Sequence, residues 1–149
     1  MIHLSRERFI GMKSLKMLNL SYNVLGSLDV FPIEMQQILV LDLSHNRIRS
    51  ISRDTLRHLT NLVKLDLRGN LLGQILPEVL RPLESIMALN FAHNTFSSLP
   101  LDSIKAVEYT LQTINLEGKK ICTAKLYENM MVFNKYIILL LILTIQNIN

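Results

Sequence analysis

Apolar and polar positions alternate along this chain in a pattern that returns on itself. The segments LKMLNLSYNVL (15–25), ILVLDLSHNRI (38–48), LVKLDLRGNLL (62–72) and IMALNFAHNTF (86–96) share one eleven-position template. Positions 1, 4, 6 and 11 are apolar, and position 9 is Asn23, Asn46, Asn70 or Asn94. A fifth copy, LQTINLEGKKI (111–121), keeps Leu111, Ile114, Leu116 and Ile121 but has Lys119 in place of the Asn. The starts at 15, 38, 62, 86 and 111 are 23, 24, 24 and 25 residues apart, a period of stacked supersecondary units. Alternation at positions 3 to 6 predicts a short strand with positions 4 and 6 inward and 3 and 5 outward. Between the templates, apolar residues recur every third position, in Phe9, Met12 and Leu15, in Leu56, Leu59 and Leu62, and in Leu80, Leu83 and Ile86. That spacing predicts a helical or 3₁₀ turn packed on the strand layer, and Pro77, Pro82 and Pro100 argue against long helices there.

The expected fold is therefore an α/β repeat solenoid. Short parallel strands form its concave face, and irregular, 3₁₀ or short helical turns form its convex face. Residues 1–14 read as the second half of an incomplete repeat, 15–121 as five repeats, and 122–149 as a tail outside the period. The Asn ladder of Asn23, Asn46, Asn70 and Asn94 is expected to be structural: each amide stands where the chain leaves a strand, beside backbone groups that need partners. The first residues, MIHLSRERFI, contain no apolar stretch of secretory type, and no polar cap is written at either end. Exposed end leucines predict self-association.

Composition narrows the class. With 49% hydrophobic and 19% charged residues the chain is not a disordered one, and 29 Leu against no Trp and 5 Gly make leucine its core material. Cys122 is the only cysteine, which excludes an internal disulfide and a cysteine-rich zinc site. The net charge of +4 is spread rather than clustered, so nucleic acid is not an expected partner. The apolar run 136–145 is ten residues, too short to span a bilayer, which takes about 20. It is open to three readings: a weakly matching glycolipid-anchor signal, translation outside the reading frame of a longer gene, or a segment covering the open end of the solenoid.

No catalytic constellation emerges. His45 and His93 share one template position but stand two strands apart, about 10 Å, with no third ligand converging on them. Phosphate-loop, nucleophile-elbow and zinc-peptidase motifs are absent, so neither an enzyme nor a cofactor is expected. The outward strand positions instead form rows across the concave face: Asn19, Asp42, Asp66, Asn90 and Asn115; Met17, Val40, Lys64, Ala88 and Thr113; Tyr22, His45, Gly69, His93 and Gly118. From these rows Asn19, Tyr22, Asp42, His45, Lys64, Asp66, Asn90, His93 and Asn115 make up the candidate protein-binding face. The alternative is a solvated sheet face whose Asp and Asn merely fill the template. Asn19-Leu20-Ser21 is a sequon that would carry a glycan if the chain were secreted.

These templates resemble the leucine-rich repeat family, and the convex stretch from Ile51 to Leu62 is similar to its typical 24-residue class, found in chaoptin-like, Slit-like and Toll-like cell-surface proteins of animals. The resemblance implies protein recognition on the concave face and no catalysis. It implies a cell-surface adhesion or receptor protein, of which this chain is a piece; the alternative is an intracellular scaffold in the cytoplasm, consistent with the lone cysteine and unmarked start. Membrane association is then expected only through the apolar tail or a further part of a longer protein. LQTINLEGKKICTAKL resembles a last repeat entering a cysteine-rich C-terminal flank, with Cys122 at the first Cys position and Ala124 at the second. Cys122 reads equally as a vestige of that cap or as an ordinary small apolar thiol.

Overall fold

A computed structural model describes residues 2–98 and 100–118. Its elements run in the order β1 (Ile2–Leu4), a 3₁₀ turn (Arg6–Phe9), β2 (Met17–Asn19), β3 (Leu25–Leu28), a second 3₁₀ turn (Ile33–Met35), β4 (Val40–Asp42), β5 (Lys64–Asp66), α1 (Pro77–Leu80), β6 (Ala88–Asn90), α2 (Leu101–Lys105) and β7 (Thr113–Asn115). The strands β2-β4-β5-β6-β7 form one parallel sheet in chain order, each a single step from the last. Register is strict across it: Met17, Val40, Lys64, Ala88 and Thr113 are successive partners, as are Leu18, Leu41, Leu65, Leu89 and Ile114. This is the α/β solenoid that the template predicts.

Between sheet and convex turns lies one continuous core. Leu41, Leu43, Leu65 and Leu67 from the strands and Leu56, Leu59, Leu62, Leu80, Leu83 and Ile86 from the returns are all fully buried. Helices α1 and α2 are short, four and five residues, and each begins at or directly after a proline. Pro77 opens α1, where its missing N–H costs no hydrogen bond, and Pro100 immediately precedes α2. One buried hydroxyl ties neighbouring returns together, Ser103 Oγ donating to the Ile75 carbonyl at 2.6 Å.

Two features depart from the template reading. A second, two-stranded parallel sheet pairs β1 with β3 on the return side, with Leu4 opposite Leu28. Met12, which the spacing of three aligns with the fully buried Leu59, is 41% exposed. Leu15, Leu18 and Leu20 are likewise only partly buried. The cause is position: β2 is an edge strand, and among the described residues no further strand pairs with its outer side. Lys119, Ile121, Cys122 and the run 136–145 lie outside the described residues.

Candidate functional site

The concave face is held by three rows of recurring hydrogen bonds, and each row explains a template position. The first is the Asn ladder. Asn46 Nδ2 donates to the Leu43 carbonyl of its own repeat at 3.0 Å and to the Leu20 carbonyl of the preceding one at 2.9 Å, while its Oδ1 accepts the Leu25 N–H at 3.0 Å. Asn70 repeats this with Leu67, Leu43 and Ile48, and Asn94 with Phe91, Leu67 and Leu72. All three are buried, so their amides satisfy backbone groups that water cannot reach. Asn23 differs. It is exposed and bonds only the carbonyls of Leu20 and Ser21 in its own turn, because no described repeat precedes it.

The second row is the central polar column. In every repeat the side-chain oxygen accepts the backbone N–H two residues on: Asn19 from Ser21, Asp42 from Ser44, Asp66 from Arg68, Asn90 from Ala92 and Asn115 from Glu117, at 2.8 to 3.1 Å. This Asx turn ends each strand and demands Asp or Asn whether or not a ligand binds. Among the described residues only one oxygen of Asp42 takes a hydrogen bond, whereas the second oxygen of Asp66 accepts Asn90 Nδ2 at 3.3 Å.

The third row was not visible as a backbone feature in the sequence. Tyr22, His45, Gly69, His93 and Gly118 all have positive φ, at 55°, 53°, 67°, 54° and 126°. The left-handed residue turns the chain after the strand so that the ladder continues, with His45 N–H donating to the Arg68 carbonyl at 2.7 Å and Gly69 N–H to the Ala92 carbonyl at 2.9 Å. Side chains in this row lean on the next repeat. The Tyr22 ring stacks on His45 at 4.3 Å, and a Cβ at Gly69 would lie 2.8 Å from His45 Nδ1. At Gly118 a Cβ would lie 2.7 Å from His93 Nδ1. The available signal was the alternation of His with Gly in one template column.

The structure thus gathers Asn19, Asp42, Asp66, Asn90 and Asn115 into one row, with Tyr22, His45 and His93 along one side of it and Lys64 on the other. In the row of Lys64, Met17 is 67% exposed, and immediately before β4 and β6 Leu39 and Met87 are 38% and 42% exposed. Arg68 adds a guanidinium two residues beyond Asp66, its buried Nε without a hydrogen-bond partner among the described residues. Among the described residues no cluster of three or more His, Cys, Asp or Glu is arranged to hold a metal ion. Among them, too, no helix is long and apolar enough to cross a membrane. Elsewhere, on the return side, burial pushes the His58 imidazole below its ordinary value, helped by the adjacent Arg57 guanidinium.

The family model described as Leucine rich repeat matches residues 29–72. The chain is 32% identical over 102 residues to the leucine-rich repeat-containing G-protein coupled receptor 5 of Rattus norvegicus, covering 68% of this chain and 11% of that protein. It is 30% identical over 120 residues to Tsukushi of Mus musculus, covering 77% of this chain and 33% of that protein. A solved leucine-rich repeat protein of Leptospira interrogans aligns with a TM-score of 0.48 and 21% identity, over 72% of this chain and 34% of that one. The chain belongs to the leucine-rich repeat family. It spans a third or less of the length of these curated relatives.

Proposed function

We propose that this chain is a protein-recognition segment of a cell-surface or secreted adhesion or receptor protein, and that its partner binds across the concave sheet. The observation that carries this reading is one sheet face on which a hydrogen-bonding row (Asp42, Asp66, Asn90) runs beside the cation Lys64, with the exposed apolar residues Leu39 and Met87 immediately before β4 and β6. Protein interfaces combine these ingredients: apolar area for affinity and flanking polar groups for register. The leucine-rich repeat receptor among the relatives supports a place at the cell surface. Binding, with no chemistry, is the activity such a face performs.

The test uses the whole chain immobilised and exposed to secreted and detergent-solubilised membrane proteins. Two variants accompany it: Lys64→Glu with Met87→Asp on the concave face, and Arg81→Glu on the return side. None of these side chains makes a hydrogen bond that holds the fold among the described residues. The expected result is a partner that the return-side variant keeps and the concave variant loses by at least about tenfold, roughly 1.4 kcal/mol. Equal capture by all three would contradict the reading.

A further inference from the structure

We infer that Asn19 is an N-glycosylation site, and that its glycan covers the exposed edge of the concave sheet and confines the partner to β4–β7. The inference rests on the proposed passage of this chain to the cell surface. Asn19-Leu20-Ser21 is the one Asn-x-Ser/Thr sequence in the 149 residues. The repeat makes five near-copies of this tripeptide, all with the same Asx turn, and four of them fail chemically. Asp42-Leu43-Ser44 has the hydroxyl but a carboxylate, Asn90-Phe91-Ala92 and Asn115-Leu116-Glu117 have the amide but no hydroxyl, and Asp66-Leu67-Arg68 has neither.

At Asn19 the local geometry leaves the reacting atom free. The Ser21 N–H and the Ser21 hydroxyl both donate to Asn19 Oδ1, at 2.8 and 2.7 Å, so Nδ2 has no hydrogen-bond partner among the described residues. Asn19 is exposed and stands on β2, the edge strand, where no described strand lies on the outer side to obstruct a branched sugar. Transfer would join Nδ2 to C1 of the first sugar of a lipid-linked oligosaccharide. The C1–O bond to the lipid pyrophosphate breaks, the pyrophosphate leaves with the bonding pair, and one Nδ2 proton is released. The product would lie over Met17, two residues away on the same face, and beside Tyr22, which is 76% exposed. A hydrated sugar there would screen both the apolar edge and the open strand from association.

The experiment is expression of the full chain behind a cleavable secretory leader in animal cells, with a glycoprotein of known occupancy co-expressed as reference. Peptide N-glycosidase digestion in ¹⁸O water then reads Asn19 by mass spectrometry in both the medium and the cell-retained fraction. The expected result is conversion of Asn19 to labelled Asp, abolished by Ser21→Ala and kept by Ser21→Thr. An unmodified Asn19 in both fractions, with the reference occupied, overturns the inference. A glycosylated chain whose concave face captures no partner removes the proposed function and leaves the site standing; a bare Asn19 on a chain that binds does the reverse. Screening is read by light scattering: enzymatic removal of the glycan should raise the mean mass in solution, and an unchanged mass overturns that part.

Discussion

Replacing Asn70 with Ala isolates the energetic role of the Asn ladder, and the structure sets its size. The side chain is 3% exposed. Its Oδ1 is the acceptor for the Ile48 N–H, and its Nδ2 donates to the carbonyls of Leu43 and Leu67, each bond 3.0 Å long. The three backbone groups are not left in the same condition. Leu43 O still receives Asn46 Nδ2, and Leu67 O still receives Asn94 Nδ2. The Ile48 N–H alone is orphaned, at about 1–3 kcal/mol, and two carbonyls drop from two donors to one, at roughly 0.5 kcal/mol each. The expected loss is about 2–4 kcal/mol, a large fraction of the 5–15 kcal/mol typical of a domain. Asn23→Ala is the internal control, because its bonds are exposed and confined to one turn; its expected cost is about 0.5 kcal/mol. Asn70→Asp should exceed Asn70→Ala, since it turns a donor into an anion facing two carbonyls. Urea unfolding followed by far-UV circular dichroism measures all three. An Asn70→Ala loss no greater than that of Asn23→Ala would refute the reasoning.

Two further perturbations probe the rows beside the ladder. Gly69→Ala should cost about 1–3 kcal/mol, from a left-handed φ of 67° and a Cβ placed 2.8 Å from His45 Nδ1. At least half of that should vanish in a His45→Ala background, and strict additivity in the double-mutant cycle would contradict the packing of His45 on Gly69. His58 has its pKa lowered from 6.5 by burial and then by Arg57, so below that pH the unfolded chain binds the proton more readily than the folded one. Stability is therefore fully present above about pH 6.5 and falls as pH drops toward the lowered value. His58→Gln should flatten this slope in urea midpoints between pH 7.5 and 5.5; an unchanged slope would count against it.

The sequence displayed the fold almost completely because the residues that bury also repeat. Leu41, Leu65 and Leu89 occupy one template position, and the structure places them on adjacent strands in register. The role of Asn46 followed from the same periodicity. What stayed hidden depends on geometry rather than residue type. Tyr22 does not announce a left-handed backbone, and the clearest signals in its column are Gly69 and Gly118, with His45 and His93 a weaker one. The central column reads as a surface row, and the Asx turn that Asp42 and Asp66 each hold there is a bond that no periodicity displays. Exposure of Met12 follows from position in the stack rather than from the template.

The most direct test of concave recognition places a photo-crosslinking amino acid at position 64 in one chain and at position 81 in another, and exposes each to intact cells. The account predicts a discrete crosslinked partner from position 64 and none from position 81. A partner crosslinked equally from both, or from position 81 alone, would contradict it.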